Sequence, residues 1–233
     1  MDCREKPRVL VFIVAYDAEK TISSVIQRIP AALADTYEVE ILIIDDASSD
    51  ATFEQGHIMQ RTGDVPFPIR VLVNPINQGY GGNQKLGYHY ALKYGFDFVA
   101  LVHGDGQYAP ECLPELLEPL RLGEASAVFG TRMMVPQDAL KGGMPLYKFA
   151  GNRILTWVQN RLSKGNLTEY HSGYRIYSTA ALARIPFDRN SNDFHFDTEI
   201  IIQLLTAKLK IKELPIPTYY GDEICHVNGI KAA

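Results

Sequence analysis

Long apolar runs are missing from this sequence. No stretch approaches the roughly 18 to 20 apolar residues that a membrane span needs, and Met1 to Arg8 is polar and mixed in charge, unlike a signal peptide. Cysteine is scarce. Cys3, Cys112 and Cys225 lie far apart, form no CxxC pair and are odd in number. That excludes a disulfide framework and points to a reducing cytosol. Positive charge is not in excess either. The 23 Lys and Arg against 27 Asp and Glu leave a net charge of −4, which argues against nonspecific binding of nucleic acid.

Several catalytic signatures are absent as well. There is no GxxxxGK[ST], so a P-loop nucleotidase is excluded, and Ser23, Ser24 and Ser48 lie outside any GxSxG elbow. Gly79-Tyr80-Gly81-Gly82 is glycine-rich but lacks the GxGxxG spacing of a dinucleotide site. It reads as a structural turn, or as backbone N–H groups that approach a substrate. His57 and His89 read as surface or helix histidines without a role.

What is present is a repeating unit. Over the first half, a short apolar run, an acidic or glycine-rich turn and a helical stretch alternate. Val9 to Tyr16, Glu40 to Asp45, Ile69 to Val73, Phe98 to Val102 and Ala127 to Thr131 read as strands, short and rich in β-branched residues. Between them Val25, Ile26 and Ile29 recur at helical spacing before Pro30. Ser49 or Asp50 can cap a helix carrying Phe53, Ile58 and Met59. Gln84 to Tyr94 lies in a third helix, and Pro110 opens a fourth. Such alternation makes a mostly parallel sheet flanked by helices, so the expected class is α/β.

Beyond residue 132 the rhythm changes. Met133 to Gly143 reads as a flexible loop and Leu146 to Leu162 as a long helix. Ser172 to Arg175 reads as a turn, about Asp197 to Ala207 as a helix, and Leu209 to Leu214 as one more strand. The apolar residues of the long helix, among them Phe149, Ile154, Leu155, Trp157 and Val158, are expected to form a core-facing stripe. A membrane-surface helix is the alternative reading. No linker or repeat interrupts the chain, which predicts one domain over 1–233, with a first half to 131 and a specialised second half from 132.

The most informative residues stand just past the strand ends. Asp17 comes after the first strand, Asp45 and Asp46 close the second, and Asp105 comes after the fourth. Parallel strands end on one edge, so these acids converge on one crevice. Gathered carboxylates repel one another unless a cation or hydrogen-bond donors compensate. Each acid could instead cap the next helix, which is the simpler account of Asp17 or Asp50 taken alone.

Val14-Ala15-Tyr16-Asp17-Ala18-Glu19, Ile44 to Asp50 (IDDASSD) and His103-Gly104-Asp105-Gly106-Gln107-Tyr108 together resemble the family 2 glycosyltransferases, whose GT-A fold is a nucleotide-sugar-binding α/β sandwich. Within that family the chain is most similar to the dolichyl- and polyprenyl-phosphate sugar transferase group. Asn77 to Asn83, Gly130 to Arg132, Ser172 to Arg175 and Phe196 to Glu199 fall in the expected order.

The resemblance implies roles residue by residue. Ala15, Tyr16, Glu19, Asp45 and Asp46, with Gly104 and Asp105, would bind the nucleotide sugar. Asp105 is the second acid of the DxD metal motif and Gln107 a further position around the metal. His103 replaces the first acid, and His226 matches a C-terminal histidine that reaches the metal or the diphosphate. The implied cofactor is Mg²⁺ or Mn²⁺, although imidazole suits Mn²⁺ better than Mg²⁺. Asp197 matches the general base of members that act on hydroxyl acceptors, whereas Glu199 and Cys225 read as structural.

Arg132 is expected at the reacting centre, and Lys148, Arg153 and Arg175 on the acceptor's phosphate. The implied reaction is inverting transfer from a UDP- or GDP-sugar to a polyprenyl phosphate or a cell-envelope glycan. The expected site of action is the cytoplasm, at the inner face of the membrane. The rivals are transfer to a sugar hydroxyl with Asp197 as base, and a noncatalytic module that binds nucleotide sugars. A nucleotidylyltransferase lacks support, because no glycine-rich, Arg- or Lys-bearing loop comes after the first strand.

Overall fold

The computed structural model describes residues 5–217. In chain order the elements are β1 (Arg8–Ala15), α1 (Ile22–Gln27), α2 (Leu33–Thr36), β2 (Glu38–Asp45), α3 (Thr52–Thr62), β3 (Ile69–Val73) and α4 (Tyr80–Lys93). They continue with β4 (Phe98–His103), α5 (Leu113–Arg121), β5 (Ala127–Thr131), α6 (Pro136–Lys141), α7 (Leu146–Ser163), β6 (Arg175–Ser178), α8 (Thr179–Leu182), α9 (Phe196–Thr206) and β7 (Ile211–Pro215).

Among the described residues the strands form one sheet in the order β3-β2-β1-β4-β6-β5-β7. Pairing is parallel from β3 through β4 and again between β5 and β7. Only β6 runs against its neighbours β4 and β5. Strand alternation sends Val9, Val11 and Ile13 to one face, under α1, α3 and α5, and Leu10 and Phe12 to the other, under α4 and α9. α4 comes close enough to β1 that a Cβ on Gly87 would lie 2.1 Å from the Phe12 ring, so no larger residue fits there. Chain order reverses between β1 and β4, the place where open α/β sheets bind ligands beyond their strand ends.

The second half corrects three expectations. Residues 136–141 form helix α6, where a flexible loop was expected. Met133, Ala139 and Met144 make a small core of their own with Phe149, which holds that helix. The 172–175 turn runs directly into β6. Most importantly, the apolar stripe of α7 does not face the core: Leu146, Ile154, Trp157 and Leu162 are exposed, and Thr156 is the helix's buried residue. Asp50 also differs from a simple cap. Ala51 occupies the N-cap of α3, while Asp50 accepts from the Thr52 N–H at 3.0 Å.

Candidate active site

Two loops at the ends of β1 and β2 are laced together. Ser48 Oγ and Thr52 Oγ1 accept from the N–H groups of Asp17 (2.9 Å) and Ala18 (2.7 Å), and Asp50 Oδ2 accepts from Glu19 N–H (3.1 Å). In return, Asp17 Oδ1 accepts from Ser49 N–H at 3.0 Å and Glu19 Oε2 from Ala51 N–H at 3.1 Å. Asp17 and Ala47 both adopt left-handed backbone, at φ 48° and 59°. Such strain persists only where surrounding bonds hold it. Asp17 is therefore a brace between loops and not a helix cap.

The neighbouring acids differ in environment. Asp45 is buried and accepts from Ser48 N–H at 3.1 Å and, very closely, from the Ser48 hydroxyl. Burial pushes its carboxyl above the ordinary value, against the pull of the Ser48 bonds. Asp46 is also buried, and its Oδ1 accepts from Asn74 Nδ2 (2.7 Å) and Gln78 N–H (2.8 Å), which pins the β3–α4 connection. Ala15 is buried and Tyr16 exposed at the end of β1, next to this edge. Gly104 N–H donates to Val14 O at 2.9 Å, which brings the β4 turn against β1.

Beyond β4, Asp105 is exposed, and its Oδ1 accepts from Gln107 N–H at 3.0 Å. Among the described residues no group of three or more His, Cys, Asp or Glu is gathered to hold a metal. An exposed carboxylate two residues before a glutamine nevertheless fits Mg²⁺ or Mn²⁺. Such ions are commonly bound by one or two carboxylates and completed by substrate phosphates. His103 is packed differently. Its ring lies edge-on to Tyr80 and Tyr108, with centroids 5.6 and 5.1 Å apart, and Nε2 is 3.3 Å from the Tyr80 hydroxyl. A Cβ on Gly173 would lie 2.6 Å from that imidazole, so the glycine is what admits it. His226 and Cys225 lie outside the described residues.

Tyr80 lies within the Asn77 to Asn83 stretch, where the sequence draws attention to the glycines and gives the tyrosine no role, yet its side chain lies at the centre of the site. Its hydroxyl donates to Asp197 Oδ2 at 3.1 Å, and burial together with that carboxylate raises its pKa well above the ordinary value. Its ring stacks on Phe194 with centroids 5.0 Å apart. Asp197 Oδ1 accepts from Gln84 Nε2 at 3.3 Å and lies 3.5 Å from Arg175 Nη1. The glycines around Tyr80 are not open to a ligand, since Gly81 and Gly82 N–H both donate to Asn192 O, at 2.7 and 3.2 Å. Glu199 accepts from Ser191 N–H at 2.6 Å, a structural role.

Arg175 needs correction as a phosphate ligand. It is 1% exposed, and its guanidinium donates to the backbone oxygens of Ser172 (2.9 Å), Asp197 (2.6 Å) and Tyr170 (2.8 Å). It fastens β6 to the start of α9 and has no open face for an acceptor. Arg132 is paired through Nη2 with Glu169 Oε1 at 2.5 Å, and Glu169 Oε2 also accepts from Arg132 N–H at 2.8 Å. Glu169, a lone acid without a recognisable motif, is the second residue of this crevice that sequence pattern does not reveal. Lys148 and Arg153 lie on α7, where Arg153 sits over the Phe149 ring at 5.8 Å.

Residues 10–185 match the model of Glycosyl transferase family 2. The chain belongs to this family. Among its relatives, the undecaprenyl-phosphate mannosyltransferase of Micrococcus luteus is 29% identical over 214 residues, 90% of this chain and 82% of that one. The UDP-N-acetylglucosamine–dolichyl-phosphate N-acetylglucosaminyltransferase of Methanococcus voltae is 26% identical over 223 residues, 92% of this chain and 86% of that one. Glucosyl-3-phosphoglycerate synthase of Mycobacterium tuberculosis, solved with Mn²⁺, UDP and glucosyl-3-phosphoglycerate, superposes with a TM-score of 0.68 at 19% identity. The match covers 97% of this chain and 74% of that one. The fold of this family 2 glycosyltransferase is therefore GT-A.

Proposed function

We propose that this glycosyltransferase moves a sugar from a UDP- or GDP-sugar to a polyprenyl phosphate, with inversion at the anomeric carbon. The observation that carries the reading is the state of Asp197. Both oxygens of its carboxylate are already engaged, Oδ2 by the Tyr80 hydroxyl and Oδ1 by Gln84 and Arg175, so neither is presented free to an acceptor hydroxyl. An alcohol acceptor needs a base; a phosphate monoester is already ionised near neutral pH and does not. Asp197 then acts as a positioning residue. The relatives in M. luteus and M. voltae, both named for lipid-phosphate acceptors, support the same choice.

The acceptor's phosphate oxygen attacks the anomeric carbon on the face opposite the nucleoside diphosphate. The new C–O bond forms as the bond to the diphosphate breaks, and that electron pair leaves with the nucleotide. Asp45, held by Ser48, and the Ala15–Tyr16 turn line the nucleotide side. Glu19 and Asp46 act indirectly, by fixing the loops that carry those residues. Mg²⁺ or Mn²⁺ held by Asp105 with Gln107 would offset the charge of the diphosphate. Arg132, Lys148 and Arg153 supply positive charge on the acceptor side. Such an acceptor would place the enzyme at the inner face of the membrane.

The test is nucleotide release from a panel of UDP- and GDP-sugars with Mg²⁺ or Mn²⁺, offered a short-chain prenyl phosphate or the matching prenol. Release with the phosphate and not with the prenol is expected. Equal release with the prenol would favour the hydroxyl-acceptor reading. Nucleotide-sugar binding without release on any acceptor would leave a noncatalytic module.

A further inference from the structure

α7 is a helix turned inside out. Apart from Phe149, which packs on Met133, Ala139 and Met144, the side that meets the rest of the protein is polar. Asn152 Nδ2 donates to Glu169 Oε1 at 3.0 Å, and Asn160 Nδ2 donates to Leu167 O at 2.8 Å while its Oδ1 accepts from Leu167 N–H at 2.9 Å. Ser163 Oγ lies 2.8 Å from the Tyr170 hydroxyl. The opposite side is apolar and open: Leu146, Tyr147, Trp157 and Leu162 are 73%, 74%, 68% and 79% exposed, with Ile154 and Val158 between them. At about 100° per residue these six fall within roughly half of the helix circumference. Lys148 borders that arc on one side and Arg153 on the other, and Arg161, near the end of the helix, falls within it.

Charge identifies what covers this face. From residue 139 to 168 the sequence holds Lys141, Lys148, Arg153, Arg161 and Lys164 and no Asp or Glu, although the whole chain is at −4. A contiguous apolar face of this kind marks an interaction site. Cations at its margins, a tryptophan and a tyrosine on it, and Arg161 within it, long enough to lift its charge to the headgroups, match a helix lying in the headgroup layer of an anionic bilayer. No helix among the described residues is long and apolar enough to cross a membrane, so the contact is parallel to the surface.

We infer that α7 docks this glycosyltransferase on an anionic lipid surface, its apolar arc sunk to the acyl boundary. The same helix is tied to the crevice, because Asn152 and Arg132 share Glu169 and the Arg132 guanidinium lies 5.9 Å from the Tyr108 ring centroid. Docking therefore brings the acceptor side of the crevice to the plane where a lipid phosphate sits. That last consequence rests on the proposed acceptor, whereas the docking does not.

Trp157 is the single tryptophan of the chain, so its fluorescence reports on this face alone. The full chain is titrated with vesicles of phosphatidylcholine, or of phosphatidylcholine with phosphatidylglycerol, without any prenyl phosphate. A blue shift and co-sedimentation with the anionic vesicles, weakened by salt, are expected. Ile154→Ser with Leu162→Ser should lower vesicle binding by at least about tenfold, at unchanged melting temperature and unchanged transfer to a short-chain prenyl phosphate in solution.

Failure to bind anionic vesicles would overturn the inference. So would a dimer that shields Trp157 without lipid and is broken by the same two substitutions. If vesicles bind but prenyl phosphate is never glycosylated, the docking stands and the proposed acceptor falls.

Discussion

The Tyr80 hydroxyl donates to Asp197 Oδ2 across 3.1 Å, joining the first turn of α4 to the first turn of α9. On its other side the same oxygen lies 3.3 Å from His103 Nε2. If Asp197 is a positioning residue, its effect on transfer runs through this hydroxyl. Tyr80→Phe keeps the ring stacked on Phe194 and removes one hydrogen bond to a charged group, worth about 1.5–3 kcal/mol. Transfer should fall about tenfold or more, at little change in the nucleotide's Kd. An unchanged turnover would separate Asp197 from the reaction.

Asp105 offers a cleaner loss. Its side chain is exposed and its one described partner is the backbone of Gln107. Asp105→Ala should abolish transfer and remove any metal-dependent stabilisation by UDP or GDP, while the melting temperature of the unliganded protein stays unchanged. Calorimetric scans with and without Mn²⁺ check both parts.

Arg175 should behave in the opposite way. Arg175→Met leaves the oxygens of Ser172, Tyr170 and Asp197 without their donor in a buried place. Removing one partner of a buried charged network costs about 3–5 kcal/mol. Urea unfolding should show that loss, and the folded fraction should keep its Kd for the nucleotide while transfer falls through the loosened Asp197.

Asp45 predicts a pH dependence of unusual sign. Its carboxyl titrates above the ordinary 3.8 because burial disfavours the charge. Folding is therefore helped by Asp45 while it is protonated, and that help is lost as pH rises from 3.8 through the raised value. Asp45→Asn keeps an acceptor for Ser48 and has nothing to lose. The melting temperature of the variant should gain on that of the parent as pH rises through this window; a constant difference would show that burial is not the cause.

The strands were legible because the chain states them plainly. β3 and β5 have the bounds read from their apolar runs, and the acids at the strand ends do sit on one edge. β6 was not legible: four residues beginning with an arginine carry no period, and only the antiparallel slot between β4 and β5 makes them a strand. The direction in which α7 faces was hidden for a different reason. An amphipathic period says that two faces differ but not which one meets the protein. Asn152, Asn160 and Ser163 meet it through hydrogen bonds to the loop that comes after the helix. Tyr80 escaped notice for a related reason, since its partners His103 and Asp197 are 23 and 117 residues away.

The position of β5 has a consequence for how the chain becomes a protein. Its two neighbours, β6 and β7, are both made after it, so a polypeptide that ends at residue 131 carries β5 with neither edge paired. During synthesis this buried, uncharged strand waits about 47 residues for β6 and roughly eighty for β7 to leave the ribosome, the latter about 4 to 16 seconds at ordinary elongation rates. Until then it is an exposed sticky segment and a natural client for a chaperone. Its delayed closure, more than any step in the parallel half, should set the yield of the folded enzyme.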